Sequence, residues 1–542
     1  MAATSSELDV LERQIVDHLF ELQPGAAVGL GLHDYDGRMP DLSVAATDRW
    51  TAAADRLLAQ LEAIDPTSLP GDRQIDRFVL RLLLEGPLFD LRDAFELERN
   101  PLSYIGMFAL TPYLAREYAP VADRVEAISQ VLLGAPELLE NGRRRLKGPL
   151  PKAFLDLALE MGDQLPTHFQ EAEQFAARAA LAPRIAAARV VAERSLAEFV
   201  TWLRQDELPR ATGDFALGPA RFQKLLFVRE GIEAPVEEIR EAGAADLRRN
   251  QARLSEIARA AGLSATGLIT ALAVDHPPAD QVLATAQQFV KETRAFIVEK
   301  DLASIPEPSS CRVEETPPYS RAWTTASMSP PGPFDASTPE GIYFVTLVDP
   351  AWSPEQKEEW LRALNRPLLR NITVHEVYPG HYLQFLHHRA HPASLARKVY
   401  LSPSFVEGWA HYTEQLAIEA GLERGRREAE VAQLHDALMR DCRLLSSIGL
   451  HTQHWSVEQA TELFRREAHM EQLPAQREAL RGTFDPGYFC YTLGKLAILN
   501  ARKRFLTAKF RGSLRRFHDA LLGFGSPPIG LIDRLLDSHV AG

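Results

Sequence analysis

VADRVEAISQVLLGAPELLENG, residues 121–142, repeats its apolar side chains at intervals of three and four, with charged residues between them. That spacing places one apolar stripe along an α-helix. The same period returns in EAGAADLRRNQARLSEIARAAG, residues 241–262, where the charges gather on the opposite face. Working outward, residues 5–300 read as a succession of such helices, punctuated by prolines and glycines such as Pro101, Pro149, Pro151 and the Asp275–Pro278 stretch. The abundance of Ala and Arg follows from helix propensity and needs no special activity.

The texture changes near Ile305. IPEPSSC, ETPPYS and SPPGPFDASTPEG, all within residues 305–341, are too rich in Pro and Ser for continuous helix. CRVEE, RAWTTASM and GIYFVTLV, between and after them, are short and β-branched or aromatic, which predicts a small sheet. An interdomain linker is the alternative, but GIYFVTLV (341–348) is apolar enough to require burial. It could offer an edge to an extended peptide, or it could be a buried supporting strand. Helical periodicity resumes at Pro354. The expected fold is therefore mainly α: a helical region over 1–304 forming one wall of a cleft, and a catalytic region over 305–542 with a small sheet, the two being one continuous unit.

The formal net charge of −13 argues against nucleic acid and anionic membranes as partners. No run reaches the length of a spanning helix, and the first residues lack the pattern of a secretory signal. Cys311, Cys442 and Cys490 are an odd number without paired spacing. A disulfide framework is not expected, and a cytoplasmic location fits. Any metal must then be held by histidines and carboxylates. Oligomeric state is not legible.

NITVHEVYPGHYLQ, residues 371–384, carries the chemistry. His375 and Glu376 are adjacent, and His381 follows His375 by six positions. On a straight helix that separation turns about 600°, leaving the two side chains about 120° apart. The four-residue spacing of ordinary H-E-x-x-H sites would align them. Pro379, however, cannot donate to the carbonyl of His375 and crowds it, and Gly380 tolerates backbone angles that other residues resist. Together they can kink the turn and return His381 toward His375. Two histidines leave a tetrahedral zinc one protein ligand short. The third candidate is Glu407 in SFVEGWAHYTEQLAIEAG (404–421), where Gly408 allows close backbone approach. His411 and Glu414 follow on the same helical face, placed to orient the ligands or touch substrate.

HEVYPGH followed by EGWAHYTEQL resembles the bacterial DUF885 family, whose motifs place it among zincin-type metallopeptidases. GLGLHDYDGRMPDLS (29–43) resembles its opening signature, and YTLGKLAILNAR (491–502) and FHDALLGFGSPPIGLIDRLL (517–536) its C-terminal ones. The resemblance covers nearly the whole chain. It implies a mostly helical fold with a cleft over Zn2+ and hydrolysis of peptide bonds. It departs at Tyr382, where the family pattern carries a further histidine.

The expected activity is zinc-dependent hydrolysis of amide bonds in short peptides, with a lean toward carboxypeptidase-like trimming at the C-terminal end. Glu376 would be the general base, His375, His381 and Glu407 the metal ligands, and Tyr491 an oxyanion donor or simply a core tyrosine. Arg502 would bind a substrate carboxylate or serve in a structural ion pair. The alternatives are a non-peptide amidohydrolase and a helical binding protein with a vestigial zinc site. His387, His388 and His391 read as a solvated helix end, and His451 and His454 as a loose structural pair.

Overall fold

The helical reading of residues 121–142 resolves into two helices, Val121–Leu133 and Ala135–Arg145, broken at Gly134 with Pro136 in the first turn of the second. Their stripes, including Val125, Ile128, Leu132, Leu138 and Leu139, are buried. The computed structural model describes residues 2–321, 324–336, 339–390 and 394–539. Within them the chain is mainly α-helical, with one three-stranded sheet, and no described helix is long and apolar enough to cross a membrane.

The chain divides into two compact units. The first comprises Met1–Phe215 with the short segments Gly332–Ser337 and Ser394–Val399. Its hydrophobic cluster includes Tyr104, Ile128, Phe169, Phe199 and Leu203. The 29–43 signature is pinned here. His33 stacks on Tyr118 with ring centroids 3.5 Å apart, and its two nitrogens face Asp36 at 3.1 Å and Asp335 at 3.3 Å.

The second unit comprises Ala216–Pro331, Thr338–Ala393 and Tyr400–Gly542. Residues 216–304 belong to it because Leu247, Leu254 and Ile257 share one core with Val431, Leu438 and Phe464. The sheet lies in this unit: β1 (Ser310–Glu315), β2 (Ala326–Ser329) and β3 (Glu340–Val345). Strand β3 is central, parallel to β1 with Ser310 opposite Glu340, and antiparallel to β2 with Ser329 opposite Ile342. The apolar run Ile342–Val345 is buried and paired on both sides. It is the supporting strand, and GIYFVTLV has no free edge to offer. Ala322 and Trp323 of the RAWTTASM segment lie outside the described residues.

Candidate metal centre

The helix Arg366–Glu376 opens on an Asn365 cap, whose side-chain oxygen accepts from the Leu368 N–H at 3.1 Å. It cannot run on through Pro379. Instead the Gly380 N–H reaches back to the Val374 carbonyl at 3.0 Å, and Leu383 bonds to Val377 at 3.2 Å. The next helix starts at His381. A Cβ on Gly380 would stand 1.8 Å from the His375 carbonyl oxygen, so only glycine allows this approach. The indole N–H of Trp409 donates to the Pro379 carbonyl at 2.8 Å, tying the kink to the helix Pro403–Glu419. The mismatched spacing is thereby corrected: the His375 and His381 rings lie 4.7 Å apart at 87°.

Glu407 faces both. Its Oε2 lies 3.4 Å from Nε2 of His375 and 3.4 Å from Nε2 of His381. One ligand atom from each of the three residues falls within 4.8 Å of the others, the only such group among the described residues. Ligands about 2.0–2.1 Å from a tetrahedral ion stand about 3.4 Å apart, so the carboxylate-to-imidazole separations suit one. Glu407 Oε2 is buried and makes no hydrogen bond among the described residues. Burial by itself would raise the Glu407 pKa, but the facing His381 and His375 hold it well below the usual carboxylate range. Burial likewise opposes charge on His375, yet the Glu407 and Glu414 carboxylates hold its pKa up at about 9. The three donors converge where positive charge is stabilised, and they could hold a metal ion.

Comparison with known proteins bears on the same segments. The family described as "Bacterial protein of unknown function (DUF885)" matches residues 24–536. The chain belongs to this family. No curated protein matches it. Among solved structures, a candidate lipoprotein of unknown function from Shewanella oneidensis superposes with a TM-score of 0.81 at 22% identity, covering 97% of this chain and 99% of that one. A candidate lipoprotein from Colwellia psychrerythraea gives a TM-score of 0.83 at 18% identity, covering 98% and 99%. These likenesses establish a shared fold.

The segments that carry the DUF885 resemblance build the site. Gly408 and Gly494 bring the helices Pro403–Glu419 and Cys490–Phe505 into backbone contact, since a Cβ on Gly408 would meet Gly494 Cα at 2.4 Å. His518 accepts a hydrogen bond from the Tyr412 hydroxyl at 2.8 Å and donates to the Leu302 carbonyl at 2.6 Å. Ser526 takes Gln384 at 2.9 Å and His388 at 3.0 Å. Tyr382, the departure from the family pattern, is buried with its hydroxyl on the Ser310 N–H at 2.8 Å and the Pro339 carbonyl at 2.7 Å. It anchors the start of β1 and does not enter the donor group.

Glu376 ends its helix half-buried, next in sequence to His375 and with no hydrogen bond to a described residue. Glu414, two turns beyond Glu407, is fully buried and accepts the His375 Nδ1–H at 2.6 Å. An ionised carboxylate can only accept, so Nδ1 carries a proton, and Nε2 is the nitrogen turned toward Glu407. Arg440 holds Glu414 with both terminal nitrogens at 3.1 Å, and Asn371 adds a third bond at 3.1 Å. Burial alone would raise the Glu414 pKa; Arg440 and His375 hold it well below normal. His411 lies 3.5 Å from Glu414 and outside the donor group. Burial, helped by the charge of Lys495, drives its pKa well down and keeps the ring neutral.

Tyr491 stands in the first turn of its helix, its ring 6.4 Å from that of His375. Arg502 is not brought to this place. It pairs with Glu419 at 2.8 Å and donates to the Tyr412 hydroxyl at 3.3 Å, about 16 Å along the helix from Tyr491 at the α-helical rise. His387 bonds the Ser304 carbonyl at 2.8 Å and His451 the Gly482 carbonyl at 2.7 Å, both structural; His391 lies outside the described residues. The residues that sequence reading missed are Arg440 and Arg443 on the helix Arg427–Thr452, with Arg481 and Lys495. MRDCRLL (439–445) held the signal, since it sets Arg440 and Arg443 at three-residue spacing among the apolar Leu438, Met439, Cys442 and Leu444.

Proposed function

We propose that this protein is a zinc-dependent hydrolase of amide bonds in short peptides. The observation that carries the reading is the pair of 3.4 Å separations between Glu407 Oε2 and the Nε2 atoms of His375 and His381, with Glu376 next to the first histidine. Imidazole and carboxylate donors in that number are the set used by catalytic zinc. When bound, zinc supplies acidification of water and polarisation of the scissile carbonyl.

The chain's own residues do the rest. Glu376 takes the proton from the attacking water and passes it to the leaving nitrogen. It is not assigned as a ligand, because its carboxylate must stay free to turn toward the water. Glu414, braced by Arg440, holds His375 in one tautomer and one orientation. The Tyr491 hydroxyl, which has no hydrogen-bond partner among the described residues, donates to the developing oxyanion.

The test is elemental analysis of chelator-free protein together with turnover of a mixed peptide library. One zinc per chain and cleavage are expected. In a crystal of the loaded protein, metal distances of about 2.0–2.2 Å should involve His375, His381 and Glu407. Absence of zinc after titration would end the reading. Zinc without cleavage of any peptide would favour the non-peptide amidohydrolase or the binding protein.

The three cysteines are free, and we propose a cytoplasmic location on that basis. The structural neighbours are described as candidate lipoproteins, so recovery in the membrane fraction on cell fractionation would move the assignment to the envelope.

A further inference from the structure

Beside the candidate metal centre, two guanidinium groups flank the ring of Tyr491. Arg443 lies over it with Cζ 4.9 Å from the ring centroid, and Arg440 approaches the same ring at 5.7 Å. Arg440 is committed to Glu414. Arg443 and Arg481 are not fully committed. Arg443, buried, uses Nε and Nη2 on the two oxygens of Glu478 at 2.7 and 2.8 Å. Arg481 uses Nε and Nη2 on a single oxygen of Asp485, at 3.2 and 3.1 Å. Neither Nη1 has a protein partner among the described residues.

Arg481 stands with Cζ 6.0 Å from the ring centroid of Tyr488, three positions before Tyr491, and its charge and that of Arg443 both act on Tyr491. They come from different helices, Arg427–Thr452 and Gln472–Phe484. Arg481 remains more than a third exposed, at 37% of its side chain. Two unused N–H faces of this kind, one at the ring of Tyr491 and one at the ring of Tyr488, form a receptor for a planar anion, because a carboxylate offers two oxygens to a forked donor.

We propose that Arg443 and Arg481 bind the free C-terminal carboxylate of a peptide substrate, making the enzyme a carboxypeptidase-type exopeptidase; this rests on the peptidase reading above. Tyr491 is then the divider between the carboxylate recess and His375, so the substrate's terminus lies a short distance beyond the bond under attack. Arg502, remote from this ring, has no part in it. Both arginines are binding residues, and the metal ligands do not depend on them.

The experiment uses zinc-loaded full-length protein and a pool of N-acetylated tetrapeptides, each prepared as free acid and as C-terminal amide. Cleavage is read by mass spectrometry, and binding to the Glu376→Gln protein by affinity-selection mass spectrometry. The wild type should prefer acids over amides by roughly 100-fold in kcat/KM, as a site built to hydrogen-bond a group rejects an analogue that lacks it. In Arg481→Gln the acid-to-amide ratio should fall at least tenfold, chiefly through KM, and in Arg443→Lys it should fall while the charge is kept. Arg502→Gln should leave the ratio unchanged.

An unchanged ratio in both the Arg481 and Arg443 variants, or equal use of acids and amides by the wild type, would overturn the proposal. Amides ending in Glu that bind like free acids would assign the recess to a side-chain carboxylate and overturn the terminal reading. Should no peptide be cleaved, the peptidase reading fails, while the binding arm still decides whether acids are selected over amides and whether Arg481→Gln removes that selection.

Discussion

The two units bury different things. In the first, a long hydrophobic cluster runs through Tyr104, Phe169 and Phe199. In the second, His375, His381, Glu414, Arg440, Arg443, Asp246, Asp441 and Lys495 are all buried within a few helices. Lys495 meets Asp246 at 2.5 Å with neither side chain exposed, and burial holds its pKa down to about 8. Asp441 is pushed up by the same burial, against hydrogen bonds from Asn250 at 2.7 Å and Thr492 at 2.9 Å. Burying a charge costs several kcal/mol that pairing only partly returns. A folding core has no need of such a concentration, and it includes two of the three converging side chains, His375 and His381. The first unit buries charges as well, but as separate pairs: Asp76 meets Arg73 and Arg397, and Arg145 meets Glu98.

Breaking that contrast calls for changes that separate chemistry from stability. The largest effect is expected from Glu376→Gln. It should lower kcat by about 10³-fold or more, as loss of a general base does, while zinc content and melting temperature stay at wild-type values. Activity close to wild type would remove the general-base role.

Next comes Glu414→Gln, which strips Arg440 and His375 of their shared carboxylate. Removing one partner from a buried pair costs about 3–5 kcal/mol, and a lost orienting bond weakens metal affinity by about 10–100-fold. Denaturant unfolding and competitive chelator titration should both move. Movement in stability alone would reduce Glu414 to a packing residue.

In the first unit, Phe199→Ala should cost about 3–5 kcal/mol through its cavity and leave the zinc affinity of the folded protein unchanged. A shift in that affinity would mean that the two units are not separable in the way their cores imply.

The smallest effect concerns pH. Burial holds the His518 pKa down at about 4, against an ordinary 6.5, with only its bond to Leu302 acting upward. The unfolded chain therefore binds the proton first. Stability from this group is complete above pH 6.5 and falls as pH drops toward 4, by up to about 3 kcal/mol. Chemical denaturation at pH 7 and pH 4.5 should show the loss, and His518→Gln should flatten it. A wild-type stability independent of pH across this window would show that His518 is not buried as described.

Much of the site is legible because it is encoded locally. The helical period sets the stripes of 121–142, and the adjacency of His375 to Glu376 needs no tertiary contact. Pro379 and Gly380 announce a break within six residues, and the break is where the chain needs it. Glu407 and Glu414 share a helical face by spacing alone.

The sequence by itself determined the helices, the sheet segment and the kink, and it singled out the three side chains that converge. Only the tertiary structure decided which carboxylate faces the two imidazoles and which one stands behind, a choice made by the Gly408–Gly494 contact and by Arg440 reaching Glu414. It decided that GIYFVTLV runs between two strands, that Arg502 serves Glu419, and that Arg443 comes to Tyr491 and Arg481 to Tyr488. The reason is one of range. Backbone sterics and hydrogen-bond period act over about four residues, whereas the partner of a buried charge is fixed by which helices pack together, and that depends on side chains hundreds of positions apart.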